Sequence, residues 1–209
     1  MLDVHRASVG DEFCVGKAGG NIGIGKVVQL SQSVLEMEVQ LNQQPPPPLP
    51  LTLALALPRP KILRRVIRSV CALGVKQIIL LNSVRVEKSY WQSPVLCADA
   101  LREELILGLE QARDTMLPEV LLRPLFKPFV EDELPALING TLRFVAHPTA
   151  ATVCPRDIKN AATLAVGPEG GFIPFEVDKL IHCGFTPIQL GSRILNVETA
   201  VPALISRLY

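Results

Sequence analysis

The run Gln43-Gln44-Pro45-Pro46-Pro47-Pro48-Leu49-Pro50 constrains the fold of this chain more than any other segment. Proline fixes φ and removes a backbone donor, so the run is extended and semi-rigid and cannot form a helix interior or a mid-sheet ladder. It divides the chain into a short first part, 1–44, a linker, 45–50, and a larger part, 51–209.

The first part reads as β structure. Asp11-Glu12-Phe13-Cys14-Val15 and residues 23–30 are β-prone, with Gly19-Gly20-Asn21 as the turn between them. Residues 34–41 alternate partly, as a half-buried strand does. Three strands are marginal alone. The module is therefore expected to be a small barrel, or to lean on the larger part.

The larger part alternates strands and helices. Residues 52–57 form a buried strand. Residues 61–73 form a helix with one apolar stripe at 62, 63, 66, 67 and 70, ending at Gly74. Residues 77–81 are the next strand, and strand–helix–strand implies a mostly parallel sheet. A helix is expected over 99–113, strands over 119–122, 141–146 and 163–166, a helix over 175–183, a strand over 187–190 and a last helix over 198–208. The fold class is α/β. Parallel sheets bind ligands beyond the carboxyl ends of their strands, so the turns after Ala146, Val166 and Leu190 are the places to look.

Composition excludes several classes. Hydrophobic residues make up 48% of the chain, as in a globular protein, and the net charge is only +1. RNA affinity would have to come from local clusters. The five cysteines are scattered, none in a CxxC pair, which implies free thiols, no zinc site and a cytoplasmic setting. No apolar run is long enough to span a bilayer.

Two turns carry chemistry. Gly167-Pro168-Glu169-Gly170-Gly171-Phe172 lacks the Lys-Ser/Thr of a P-loop and the spacing of the dinucleotide fingerprint. It fits a tight strand-to-helix turn as well as a loop that lets a ligand approach the backbone. Gly191-Ser192-Arg193-Ile194-Leu195-Asn196-Val197-Glu198-Thr199-Ala200 joins a strand to the last helix. Asn196 is its expected N-cap, with Glu198 and Thr199 in the first turn. Taken alone, an ordinary capped helix explains this segment equally well.

Together, the order strand–GPEGGF–helix–strand–LGSRILNVETA–helix resembles the paired cofactor motifs of the RsmE-type 16S rRNA (uridine-N3) methyltransferase family, within the knotted SPOUT class. Glu110-Gln111-Ala112-Arg113 through Pro118-Glu119-Val120 is similar to a further family segment, and Leu73-Gly74-Val75 and Arg85-Val86-Glu87 sit in family-like positions. Val4-His5-Arg6 through Gly10-Asp11 resembles the start of the family's PUA-like RNA-binding domain. An opening strand ahead of it is expected but is not in the sequence, so this domain is read as truncated. Ser192 and Asn196 stand where the family pattern has Pro and Arg.

The resemblance implies a C-terminal trefoil knot, a homodimer, S-adenosylmethionine as cofactor, ribosomal RNA in an assembled small subunit as partner, and no metal. It places the cofactor against Ala146, His147, Gly167, Pro168, Glu169, Gly170, Gly171, Leu190, Gly191, Ile194, Leu195 and Thr199. Methylating uracil N3 requires loss of a weakly acidic proton, so cations and a base are expected. Arg113 and Arg193 are the candidate cations and Glu198 the candidate base or orienting group. Arg6 and the cluster Arg59, Lys61, Arg64, Arg65 and Arg68 are the RNA-binding candidates, although a basic helix face is often only solvated. The alternatives are a relative acting at another RNA position, such as a ribose 2′-hydroxyl, and a non-catalytic RNA-binding protein of the same fold.

Overall fold

The structure is a computed structural model that describes residues 7–209. Arg6 lies outside the described residues. Strands β1 (Glu12–Gly16), β2 (Ile22–Leu30) and β3 (Leu35–Gln43) form an antiparallel sheet in that order. The register sets Gly25 between Phe13 and Val39. A Cβ on Gly25 would crowd Val15 and the Met37 sulfur, the latter at 3.2 Å. This is the small β domain that the alternation suggests, and it does lean on the larger part. The Gly19 N–H donates to the Thr115 carbonyl at 2.8 Å, and the Thr115 hydroxyl donates to the Gly20 carbonyl. Gly16 leaves room for this contact, since a Cβ there would stand 2.5 Å from the Thr115 methyl.

The larger part is built on β4 (Leu49–Ala56), α1 (Pro60–Ala72), β5 (Val75–Leu81), α2 (Ala98–Ala112), β6 (Glu119–Arg123), β7 (Leu142–Ala146), β8 (Thr152–Val153), β9 (Ala162–Val166), α3 (Pro174–His182), β10 (Thr186–Gln189) and α4 (Val197–Leu208). Its seven strands run parallel in the order β6-β5-β4-β9-β7-β10-β8. The first strand starts at Leu49, inside the stretch read as linker. Pro50 is tolerated there because pairing with β5 is irregular between Leu49 and Thr52, and pairing with β9 begins only at Leu51.

The interior strand β4 is buried from Leu51 to Ala56, as expected for a parallel sheet covered on both faces. Helix α1 opens on Pro60, where the missing N–H costs nothing, and stops at Gly74 with φ +87°. Its buried stripe is Leu63, Val66, Ile67, Val70 and Cys71, and it packs against α2 and α4. The α1–α2 contact closes on Gly108, where an added Cβ would lie 2.8 Å from both the Arg68 carbonyl and the Cys71 Cβ. Burial pushes the Cys71 thiol up to about 11, so it packs as an inert neutral group. Gly108→Ala must force the two helices apart and is expected to cost about 1–3 kcal/mol, the usual penalty for overpacking. A urea titration measures it.

The short strand β8, the short 3-10 helices Lys88–Gln92 and Pro94–Leu96, and a helical stretch over 126–137 have no counterpart in the periodicity. The 126–137 stretch contains a π turn, Phe129–Glu133, that shifts the helical register. Pro128 and Pro135 obscure it further in the sequence. No helix among the described residues is long and apolar enough to cross a membrane.

Candidate functional site

Strands β9, β7 and β10 are adjacent and parallel, so their carboxyl ends lie side by side. The turns that follow enclose a cavity of about 450 Å³, well within the range of small-molecule sites. Its floor is apolar, with Val166, Phe172, Ile188 and Leu204. Of the twelve residues expected to touch a cofactor, eleven line it: Ala146, His147, Gly167, Pro168, Glu169, Gly170, Gly171, Leu190, Gly191, Ile194 and Leu195. Thr199 is the exception. Its backbone N–H donates to the Asn196 side chain at 2.9 Å as the N-cap bond of α4. Val197 and Ala200 of the same helix take the wall instead.

The glycine turns have physical reasons. Gly171 and Gly191 have φ of +71° and +138°, conformations that side chains disfavour. Gly167 is constrained differently: a Cβ there would stand 2.8 Å from the Phe172 nitrogen and 3.1 Å from Gly171 backbone atoms. The turn is tied down from outside by Glu176, which is buried. One of its carboxylate oxygens accepts the Ile173 N–H at 3.0 Å, and the other accepts the Val84 N–H at 2.7 Å. The loop after β5 is thereby fixed over the 167–171 turn.

That loop delivers Arg85, which lines the cavity and donates to the Gly170 carbonyl. The sequence marks Arg85 only as family-like in position. Its partner is 85 residues away, so no local pattern reports the contact. Gln189 is a second unforeseen member. Its Oε1 is buried without a hydrogen-bond partner among the described residues, although Gln189 lines the cavity. A buried acceptor left alone is costly, so this atom suits a ligand that carries an amino donor.

The charged candidates separate. Arg193 lines the cavity. Arg113 does not: it is exposed, caps α2 with φ +52°, and precedes β6, at the opposite end of the parallel sheet. Its neighbours serve architecture, with Asp114 paired to Lys76 at 2.5 Å and Thr115 holding the β domain. Glu198 stands beside the cavity, in a second hollow of about 310 Å³, and pairs with Arg65 at 3.0 Å.

The arginines on the basic face of α1 are engaged in ion pairs but stay half exposed. Arg64 and Arg68 both grip Glu104 of α2, whose side chain is 1% exposed, and the Arg64 bond is 2.7 Å. The Arg59 N–H donates to Glu169 at 3.0 Å, and its guanidinium is held above its ordinary pKa chiefly by a hydrogen bond to Tyr90. Of the five, Arg59 and Lys61 have no salt bridge among the described residues. Trp91 acts as an anchor, donating to Asn82 at 3.0 Å.

Fold and cavity together define a parallel α/β domain with a cavity set among glycine turns at its strand ends. Residues 45–209 match the family model described as RNA methyltransferase domain, and the chain belongs to that family. Its curated relatives carry the name that the motifs suggest. One is the ribosomal RNA small subunit methyltransferase E of Treponema pallidum, 31% identical over 151 residues, covering 69% of this chain and 56% of the relative. Another is the ribosomal RNA small subunit methyltransferase E 1 of Borreliella burgdorferi, 26% identical over 149 residues, covering 69% and 60%. The matched part thus spans little more than half the length of these relatives. The fold is also that of a ribosomal RNA small subunit methyltransferase E from Neisseria gonorrhoeae, solved with bound S-adenosyl methionine. That likeness has a TM-score of 0.75 at 21% identity, and covers 98% of this chain and 85% of that one.

Proposed function

We propose that this protein transfers a methyl group from S-adenosylmethionine to N3 of a uridine in small-subunit (16S) ribosomal RNA. The observation that carries the reading is the convergence of three strand-end turns on one cavity. The relatives' names support the same activity.

The residues suit this cofactor. Gln189 offers an unused acceptor to one of its amino groups. The glycine turns let an adenosine approach the backbone, and Ile194, 83% exposed, has apolar surface for it to cover. When bound, the cofactor supplies an electrophilic methyl on a sulfonium. The chain's own residues hold and enclose the reactants. The guanidiniums of Arg85 and Arg193, both on the cavity, favour the negative charge that uracil develops as N3 loses its proton.

Around this centre, the β domain is the PUA-like RNA-binding unit, and Lys61 with the exposed ends of Arg64, Arg65 and Arg68 completes a contact for rRNA in the assembled subunit. The chain pairs as a homodimer through its C-terminal knot. Light scattering is expected to give twice the 22.8 kDa chain mass; an active monomer would refute the pairing. Calorimetry with S-adenosylhomocysteine tests the cofactor reading. One site per chain is expected, and the absence of heat at millimolar ligand would overturn it.

A further inference from the structure

We propose that Glu176 is a positioning residue for methyl transfer: it fixes the loop after β5 so that the Arg85 guanidinium is held at the cavity. The proposal rests on the methyl-transfer reading and deepens it. Glu176 is 1% exposed, and its carboxylate has no salt bridge among the described residues. A buried carboxylate without a cation is costly. The start of α3 does not require one. At this third helical position a single acceptor is enough to take the Ile173 N–H, and glutamine serves there as well as glutamate.

The second bond distinguishes the two side chains. One carboxylate oxygen accepts the Ile173 N–H at 3.0 Å, and the other accepts the Val84 N–H at 2.7 Å. A carboxylate has two acceptor oxygens, whereas an amide has one oxygen and an NH2 that only donates. Glutamine could therefore serve one of these N–H groups and would set a donor against the other. What the charge maintains is the bridge between two loops, joining residues 92 apart in sequence.

The bridge ends next to Arg85. Ser83 and Val86 are buried and anchor the loop, and the Val86 N–H donates to the Ser83 carbonyl at 3.0 Å. Between them Val84, 70% exposed, and Arg85, also exposed, form a tip that apolar packing does not hold. The Val84 bond to Glu176 orients this tip, and the Arg85 bond to the Gly170 carbonyl ties its far end to the cavity. A guanidinium that meets developing negative charge is effective only when its place is set before the reaction, and a shift of about 1 Å can cost about 100-fold. Glu176 itself does not line the cavity. Any effect it has on the reaction therefore passes through the loops it ties.

The experiment is a double-mutant cycle of Glu176→Gln and Arg85→Met in the full chain, read by methylation of small-subunit ribosomal RNA with S-adenosylmethionine. Arg85→Met is expected to lower kcat by about 100-fold, the scale for removing one group that meets developing charge. Glu176→Gln leaves the guanidinium present but loosely placed and is expected to lower kcat by about tenfold. The double variant should fall no further than Arg85→Met alone, because a residue that acts through another adds nothing once that one is gone. S-adenosylhomocysteine affinity, by calorimetry, is expected to stay within about threefold of wild type in all three, as for an interaction made in the transition state. Hydrogen exchange supplies a readout independent of turnover: residues 82–87 should exchange faster in Glu176→Gln, while α1 and α2 keep wild-type protection. Glu176→Asp keeps the charge but is too short to span both N–H groups, and is expected to show the same coupling should the amide disturb folding. Losses that multiply to about 1,000-fold in the double variant, a wild-type kcat in Glu176→Gln, or exchange that rises through the whole chain overturns the proposal. If the losses multiply while wild type methylates the RNA, only the positioning role falls. If wild type binds no S-adenosylhomocysteine or methylates no RNA, the underlying reading falls first.

Discussion

Gly167→Val is expected to weaken S-adenosylhomocysteine binding by about 100-fold, the equivalent of two tenfold steps. The reason is local. The new Cβ would fall 2.8 Å from the Phe172 nitrogen and 3.1 Å from Gly171 backbone atoms, so the turn must open to accept it. Backbone cannot swing aside as a side chain can. Gly170→Val supplies the contrast. Its Cβ would meet the Arg85 side chain at 2.9 Å, a group that can rotate away at the loss of its bond to the Gly170 carbonyl. That variant is expected to retain binding within about tenfold. Titration calorimetry of the two proteins reads the difference, and equal affinities would mean that the 167–171 turn does not cradle the ligand.

The largest stability effect is expected from Arg64→Met/Arg68→Met. It leaves Glu104 buried and charged with neither guanidinium, which costs about 3–5 kcal/mol. For a chain of this size that is about 10 °C in Tm. Adding Glu104→Leu removes the stranded charge and is expected to recover most of the loss. Burial alone would raise the Glu104 carboxyl, but hydrogen bonds and charge from Arg68 and Arg64 outweigh it and hold it below its ordinary value. A depressed folded pKa means that the contribution is present above the unfolded value of about 4.3. It is lost as pH falls through the folded value. The double variant should therefore lose part of the wild type's steepening instability below that pH. A double variant as stable as wild type would show that the clamp contributes nothing.

These two cases mark what the sequence reveals. Gly167, Gly170 and Gly171 are legible because a strand followed by a glycine turn and a helix leaves few physical options, and a parallel sheet fixes which end the turn occupies. The cap at Asn196 and the stop at Gly74 are legible for the same reason, being local requirements of helix ends. Glu104 is not. A glutamate beside Glu103 in an amphipathic helix reads as solvated, and only the packing of α1 on α2 buries it. Arg113 shows the converse. Its place in a family-like segment suggests chemistry, whereas the sheet direction sends it to the far end. Arg85 escapes notice because its importance arises from a loop crossing over another loop. A knot is a property of the chain's path, so no residue pattern can disclose it.

Mass spectrometry of nucleosides from small-subunit ribosomal RNA, incubated with the protein and isotopically labelled S-adenosylmethionine, tests the methyl transfer itself. A single labelled product, N3-methyluridine, is expected, absent when Gly167→Val replaces wild type. Label in a ribose 2′-O-methyl nucleoside, or none in RNA despite cofactor binding, would contradict it.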